Sequence, residues 1–106
     1  ELYINLDPLN NGSSINLTSM SSLIFGVNSD KATVIKFEVE DTAGHRAIYY
    51  LRNVDVSRNY YKFLTALLGA NIDAAHIKAL HFTVDANSVS SGNEIGFFQV
   101  EIGGLN

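Results

Sequence analysis

The sequence predicts a single all-β domain, a sandwich or barrel of about eight short strands. Three observations carry this expectation. Apolar and polar residues alternate with period 2 in the stretches 33–51, 77–85 and 95–102. Turn-forming Gly, Asn, Asp and Ser separate these stretches and the shorter apolar runs at fairly regular spacing. The chain has 106 residues and is 46% hydrophobic, enough for one core and too apolar for a disordered chain.

In chain order, Glu1 to Leu6 alternates loosely, with Leu2, Ile4 and Leu6 on one side. Pro8 and Asn10-Asn11-Gly12 break it, and Asn-Gly is a hairpin signal because both residues accept left-handed geometry. Ile15 and Leu17 alternate with Asn16 and Thr18 on a second short strand. Leu23-Ile24-Phe25-Gly26-Val27 is a continuous apolar run, expected to be buried on both faces or near a sheet centre. Asn28 to Lys31 is expected to be a loop.

Thr33 to Leu51 organises the rest. Ile35, Phe37 and Val39 alternate with Lys36, Glu38 and Glu40. Asp41-Thr42-Ala43-Gly44 is turn chemistry. Ala47 to Leu51 supplies a β-branched and aromatic return strand. A two- or four-residue loop places Ile48 and Tyr50 on the face of Phe37, and Ala47 and Tyr49 on the face of Glu38.

Arg52 to Asn59 connects. Asn59 to Leu68 fits a helical stripe through Leu64, Leu67 and Leu68, or a strand through Tyr61, Phe63 and Thr65. The leading aromatics and the closing Gly69 favour the strand. Ile72 to His76 reads as one helical turn capped by Asp73. Ile77 to Asp85 is a strand with Leu80, Phe82 and Val84 inward and Ala79, His81 and Thr83 outward. Ile95 to Ile102 is the last strand, with Phe98, Val100 and Ile102 inward and Phe97, Gln99 and Glu101 outward.

The order of these pieces resembles the galactose-binding-like jelly roll, and within it the non-catalytic carbohydrate-binding modules of polysaccharide-degrading enzymes. The matching pieces are Leu23 to Phe25, Phe37 to Gly44, Ile48 to Leu51, Ile72-Asp73 leading to Ile77 and Phe82-Thr83-Val84-Asp85, and Gly96 to Ile102. Tyr61 to Phe63 stand where the family has a strand opening with Trp. The resemblance covers about residues 15 to 105. It implies a jelly-roll β-sandwich that binds sugar without catalysis. The family's structural calcium site does not carry over, because the opening strand is reduced and Val100 and Glu101 occupy the positions of the last strand's aspartate.

Composition excludes several classes. The net charge is −4, and the seven basic residues are scattered along the sequence, so nucleic acid is not an expected partner. There is no cysteine, hence no disulfide, thiolate metal site or thiol nucleophile. Apolar runs are too short to span a bilayer. The chain opens on Glu1, and the expectation is a domain excised from a larger secreted or cell-surface protein, with other domains of that parent as further partners.

Sugar surfaces need flat aromatic rings for the apolar face of a pyranose and planar polar groups for its hydroxyls. On the parity argument the outward candidates are Tyr49, Tyr60, Lys36, Glu38, His81, Phe97 and Gln99, divided between two outer faces. Ordinary sheet surface with cross-strand ion pairs among Lys36, Glu38 and Lys62 is the competing explanation.

No enzyme is expected. His45, His76 and His81 stand in no recognised catalytic motif. Glu38 and Glu40 share one strand face, but a sandwich of this length has little room for the cleft that paired-carboxylate hydrolysis needs. No cofactor and no metal ligands are assigned: Asp85, Asn87 and Glu94 offer hard oxygens without EF-hand spacing. Asn11-Gly12-Ser13 and Asn16-Leu17-Thr18 match the glycosylation acceptor pattern, which is frequent by chance.

Two functions follow from this. One is a carbohydrate-binding module that targets an attached enzyme to polysaccharide. The other is a structural or protein-interaction sandwich. An exposed aromatic row favours the first, and a bare apolar edge near Leu2–Leu6 or Leu23–Phe25 favours the second.

Overall fold

A computed structural model describes residues 1–6, 12, 14–85, 88–89 and 98–105, with 102–105 described through their backbone alone. The described residues form seven strands in two antiparallel sheets. In chain order these are β1 (Leu2–Asn5), β2 (Ser22–Ser29), β3 (Val34–Asp41), β4 (Arg46–Arg52), β5 (Asn59–Leu64), β6 (Ile77–Thr83) and β7 (Phe98–Leu105). One sheet runs β1-β6-β3-β4 and the other β5-β2-β7. The arrangement is sandwich-like, with β3 and β2 each paired on both sides.

The inward faces of the two sheets meet through aromatic rings. Phe25 of β2, Phe37 of β3 and Phe82 of β6 are fully buried, with centroids 4.9 Å (Phe25–Phe37), 5.0 Å (Phe37–Phe82) and 5.4 Å (Phe25–Phe82) apart. Phe63 of β5 continues the cluster, 5.3 Å from Phe37. Truncating one such ring to alanine costs about 3–5 kcal/mol. At one end Ile4, Leu6, Ile15, Leu17, Leu23, Ile77 and Leu80 line an apolar cavity of about 120 Å³.

The β3–β4 hairpin departs from the expected parity. Phe37 pairs with Tyr49, Glu38 with Ile48 and Val39 with Ala47. The reason is loop length. Asp41 and His45 still pair (Asp41 N to His45 O, 3.0 Å), which leaves a three-residue loop, Thr42-Ala43-Gly44. Gly44 takes φ 88°, the left-handed residue that a three-residue hairpin loop requires. An odd loop moves every side chain of the return strand to the opposite face. Ala47, Tyr49 and Leu51 therefore point to the core, and Ile48 and Tyr50 to solvent.

Four smaller differences remain. Ile15 makes a single bridge to Ile77 instead of opening a strand. The Leu17 N–H still donates to Ala74 O at 2.8 Å, and the chain then turns, with Asn16 Oδ1 accepting the Thr18 N–H at 2.9 Å. Asn28 and Ser29 extend β2, opposite Gln99 and Phe98, where a loop was expected. The strand expected over 59–68 forms as β5 over Asn59–Leu64 and gives way to a 3₁₀ turn over Thr65–Leu68, so Thr65 lies outside it. Residues 72–76 form a turn and no helix: Asp73 O accepts the His76 N–H at 3.0 Å and Asp73 Oδ1 accepts that of Ala75 at 3.2 Å. The strand expected from Ile95 is described from Phe98 onward, and Asn11 of the Asn-Gly signal lies outside the described residues.

Candidate functional site

The fold divides six of the seven candidates among three places. Lys36, Glu38 and His81 lie on the outer face of the four-stranded sheet. Tyr60 and Gln99 lie on the outer face of the three-stranded sheet. Tyr49 points inward, and Phe97 lies outside the described residues.

Tyr49 is a correction. Its ring stands 4.7 Å from that of Phe63, and its hydroxyl donates to the Leu67 carbonyl. Burial pushes its hydroxyl pKa up. It ties β4 to the 3₁₀ turn and offers no ring to a ligand.

On the three-stranded sheet, the site is built around Gly26, the middle of central strand β2. Its register partners are Tyr60 on β5 and Glu101 on β7. A Cβ at Gly26 would lie 3.0 Å from Arg58 Cγ and Cδ and 3.1 Å from Tyr60 Cε1. The glycine is thus what lets the Arg58 stem and the Tyr60 ring lean across the strand. Tyr60 remains 60% exposed. Arg58 is ion-paired with Glu101, and the Tyr60 hydroxyl donates to the same carboxylate at 3.5 Å. One step along the sheet, Asn28 Nδ2 donates to Gln99 Oε1 at 3.3 Å. The result is a strip holding one exposed ring, a guanidinium, a carboxylate and two amides.

On the four-stranded sheet, pairing brings Lys36, Glu38, Glu40, His81 and Arg46 into one network. Glu38 accepts from Lys36 Nζ at 2.9 Å and from Arg46 Nη1 at 2.8 Å. Glu40 accepts from His81 Nε2 at 2.7 Å and lies 3.4 Å from both Arg46 and Lys78. Lys78 reaches it because the β3–β6 register shifts between Glu40 and Asp41. Tyr3 of β1 covers His81, ring centroids 4.9 Å apart. His81 Nδ1 stands 3.4 Å from the Glu1 carboxylate without hydrogen-bond geometry.

The outward candidates Glu38 and His81 are therefore on the expected face yet buried, covered by their own neighbours. Burial pushes both carboxyls up. The hydrogen bonds and charges of Lys36 and Arg46 on Glu38, and of His81, Lys78 and Arg46 on Glu40, outweigh it and hold both below the usual carboxylate range. The hydrogen bond and charge of Glu38 raise the Lys36 pKa in turn.

Several residues of these strips escaped sequence reasoning. Gly26 had a signal: an isolated glycine inside an apolar strand marks close approach of another group. Tyr50 was assigned inward through the parity error. Arg58 sits in a connecting segment and carries no local signal. Of the calcium-like set, Asp85 belongs to a turn in which its N–H donates to Ser88 Oγ at 3.0 Å, and Asn87 and Glu94 lie outside the described residues. No family model, curated protein or solved structure matches the chain.

Proposed function

We propose that this domain is a non-catalytic carbohydrate-binding module whose polysaccharide lies across the outer face of the β5-β2-β7 sheet. The carrying observation is Tyr60, held leaning over Gly26 with most of its ring open to solvent beside the Arg58–Glu101 pair. A ring in that attitude offers its face to the CH face of a pyranose. Arg58, Glu101 and Gln99 offer donors and acceptors to the hydroxyls around it, and buried Asn28 holds the Gln99 amide in place. The strip crosses all three strands, which suits a length of polymer.

Two antiparallel sheets agree with the jelly roll that the resemblance implies, and the jelly-roll connection is part of this proposal. So is the setting: a secreted or surface protein in which the module raises the local concentration of an attached enzyme on its substrate.

Calorimetry and affinity electrophoresis against soluble β-glucans, xylans, mannans and pectins test the reading. Binding that Tyr60→Ala lowers at least about tenfold, equivalent to about 1.4 kcal/mol, is expected. A folded wild-type domain that binds none of these polymers would overturn it.

One observation favours the alternative, a protein-interaction domain. Among the described residues β1 is an edge strand, Leu2 on it is exposed, and Ile4 and Leu6 line the apolar cavity. The other suspected edge, Leu23–Phe25, lies in the middle of its sheet.

A further inference from the structure

The basic residues look scattered in the sequence, yet pairing gathers four of the seven on one face. Lys36 of β3, Arg46 and Arg52 of β4 and Lys78 of β6 all reach the outer side of the four-stranded sheet. The domain as a whole carries a net charge of −4, so this concentration runs against its overall balance.

The vertical order of the charges matters more than their sum. The side chains of Glu38 and Glu40 are only 5% and 10% exposed. Those of Lys36, Arg46 and Lys78 remain 27%, 43% and 38% exposed. These two carboxylates lie beneath and the N–H donors lie on top, while at the β1 side Glu1 adds an exposed carboxylate beside His81. Each buried acid already accepts from two or more partners, and the cations keep donors to spare: three on a lysine, five on an arginine. What a ligand meets is a set of partly exposed cations, three of them held in place by the buried acids. Two exposed rings, Tyr50 opposite Lys36 and Tyr3 above His81, stand in the same face.

We infer that this face is a second polysaccharide-binding surface, opposite the Tyr60 strip, and that it takes an acidic chain bearing uronate carboxylates. The inference rests on the reading of the domain as a polysaccharide binder, but on different residues and on a different sheet. Charge complementarity commits it to an anionic chain. The rings commit it to a sugar: a uronate unit has a carboxylate for Arg46, Arg52 or Lys36 and a CH face for Tyr50. A nucleic-acid duplex is a poor fit, because affinity there grows with the number of phosphates neutralised, and here three of the four cations are already partly neutralised by the carboxylates among them.

The test is binding of the whole domain to polygalacturonate, to the same polymer methyl-esterified, to a neutral β-glucan and to duplex DNA, at low and high salt. Tyr50→Ala and Arg52→Gln are the informative variants, since neither side chain holds a buried carboxylate; circular dichroism checks that each folds. The wild type is expected to bind the free-acid polymer, more weakly as salt rises, and the ester at least tenfold more weakly. Each variant is expected to lower that affinity about five- to tenfold, the loss of one charged or stacking contact, with glucan binding unchanged. Tyr60→Ala is expected to do the reverse.

Glucan binding without polygalacturonate binding would overturn this inference and leave the Tyr60 reading standing. So would polygalacturonate binding lost in Tyr60→Ala, or indifferent to Tyr50→Ala and Arg52→Gln. DNA bound as tightly as polygalacturonate would also overturn it, as a general polyanion patch. A folded domain that binds no polymer would overturn both readings.

Discussion

Asp41 offers the sharpest test of how this fold holds together. Its side chain is fully buried at the base of the β3–β4 loop. Oδ1 accepts the N–H groups of Ala43 at 3.0 Å and His45 at 2.9 Å. Oδ2 accepts the N–H of Asp73 at 3.0 Å and faces His45 Nδ1 at 3.1 Å. One carboxylate therefore closes the loop that sets the hairpin parity and ties it to the 72–76 turn. A hydrogen bond to a charged group contributes about 1.5–3 kcal/mol. The donors belong to exposed residues that water can reclaim, so the low end applies, and Asp41→Ala is expected to cost about 3–4 kcal/mol. Asp41→Asn has the right shape but only one acceptor oxygen. Placed on the loop side, it leaves an amide N–H₂ against the Asp73 N–H, at a cost of about 2–3 kcal/mol. Against a total stability of about 5–15 kcal/mol, both are large.

Urea denaturation followed by circular dichroism measures these differences. The pH dependence supplies a second readout. Burial raises the Asp41 pKa, but the backbone N–H groups of Asp73 and His45 and the His45 side chain bring it below its ordinary value of 3.8. A folded pKa below the unfolded one gives stability that is full above the unfolded value and lost as pH falls through the folded one. The gap between wild type and Asp41→Asn is thus expected to hold near neutrality and to narrow below about pH 4. An Asp41→Ala variant within about 1 kcal/mol of wild type at pH 7 would refute the account, as would a gap unchanged in acid.

Three more outcomes are expected. Tyr49→Ala costs about 3–5 kcal/mol in a urea titration, as an aromatic core truncation, whereas Tyr49→Phe loses only the hydroxyl bond to Leu67 O and costs about 0.5–1.5 kcal/mol. Gly26→Ala folds, because the Arg58 stem it meets can swing aside, but it displaces Tyr60; a shifted Tyr60 ring resonance and weaker glucan binding check it. Glu38 and Glu40, like Asp41, have pKa values lowered by folding, so their contribution is present above the ordinary carboxylate range and lost as pH falls through the lowered values. Glu40→Gln is expected to flatten the acid limb of a Tm–pH profile, and an unchanged limb would assign acid sensitivity elsewhere.

The placement of Tyr49 shows where sequence reasoning stopped. Asp41-Thr42-Ala43-Gly44 is compatible with loops of two, three or four residues, and parity alone decides which face Tyr49 takes. The clue was present: a glycine in third place is what a three-residue loop needs for its left-handed residue. Tyr60 was assigned correctly to an outer face because β5 needed no parity from a neighbouring strand. Glu38 and His81 were assigned to the right face, but their burial was not legible. The side chains that cover them, Tyr3 on β1 and Arg46 on β4, come from strands whose neighbours are set by long-range pairing.

Local pattern alone was enough for an all-β domain, most of its strands, the burial of the Leu23–Val27 run, and the inward set Phe37, Val39, Leu80 and Phe82. Period-2 alternation is a local property, enforced wherever a strand buries one face. Tertiary structure decided the strand order, the hairpin parity, the leaning of Tyr60 across Gly26, and the gathering of Lys36, Arg46, Arg52 and Lys78 on one surface. These depend on which distant strands pair and in what register. That choice is made by the free energy of the whole core, and no single strand's pattern contains it.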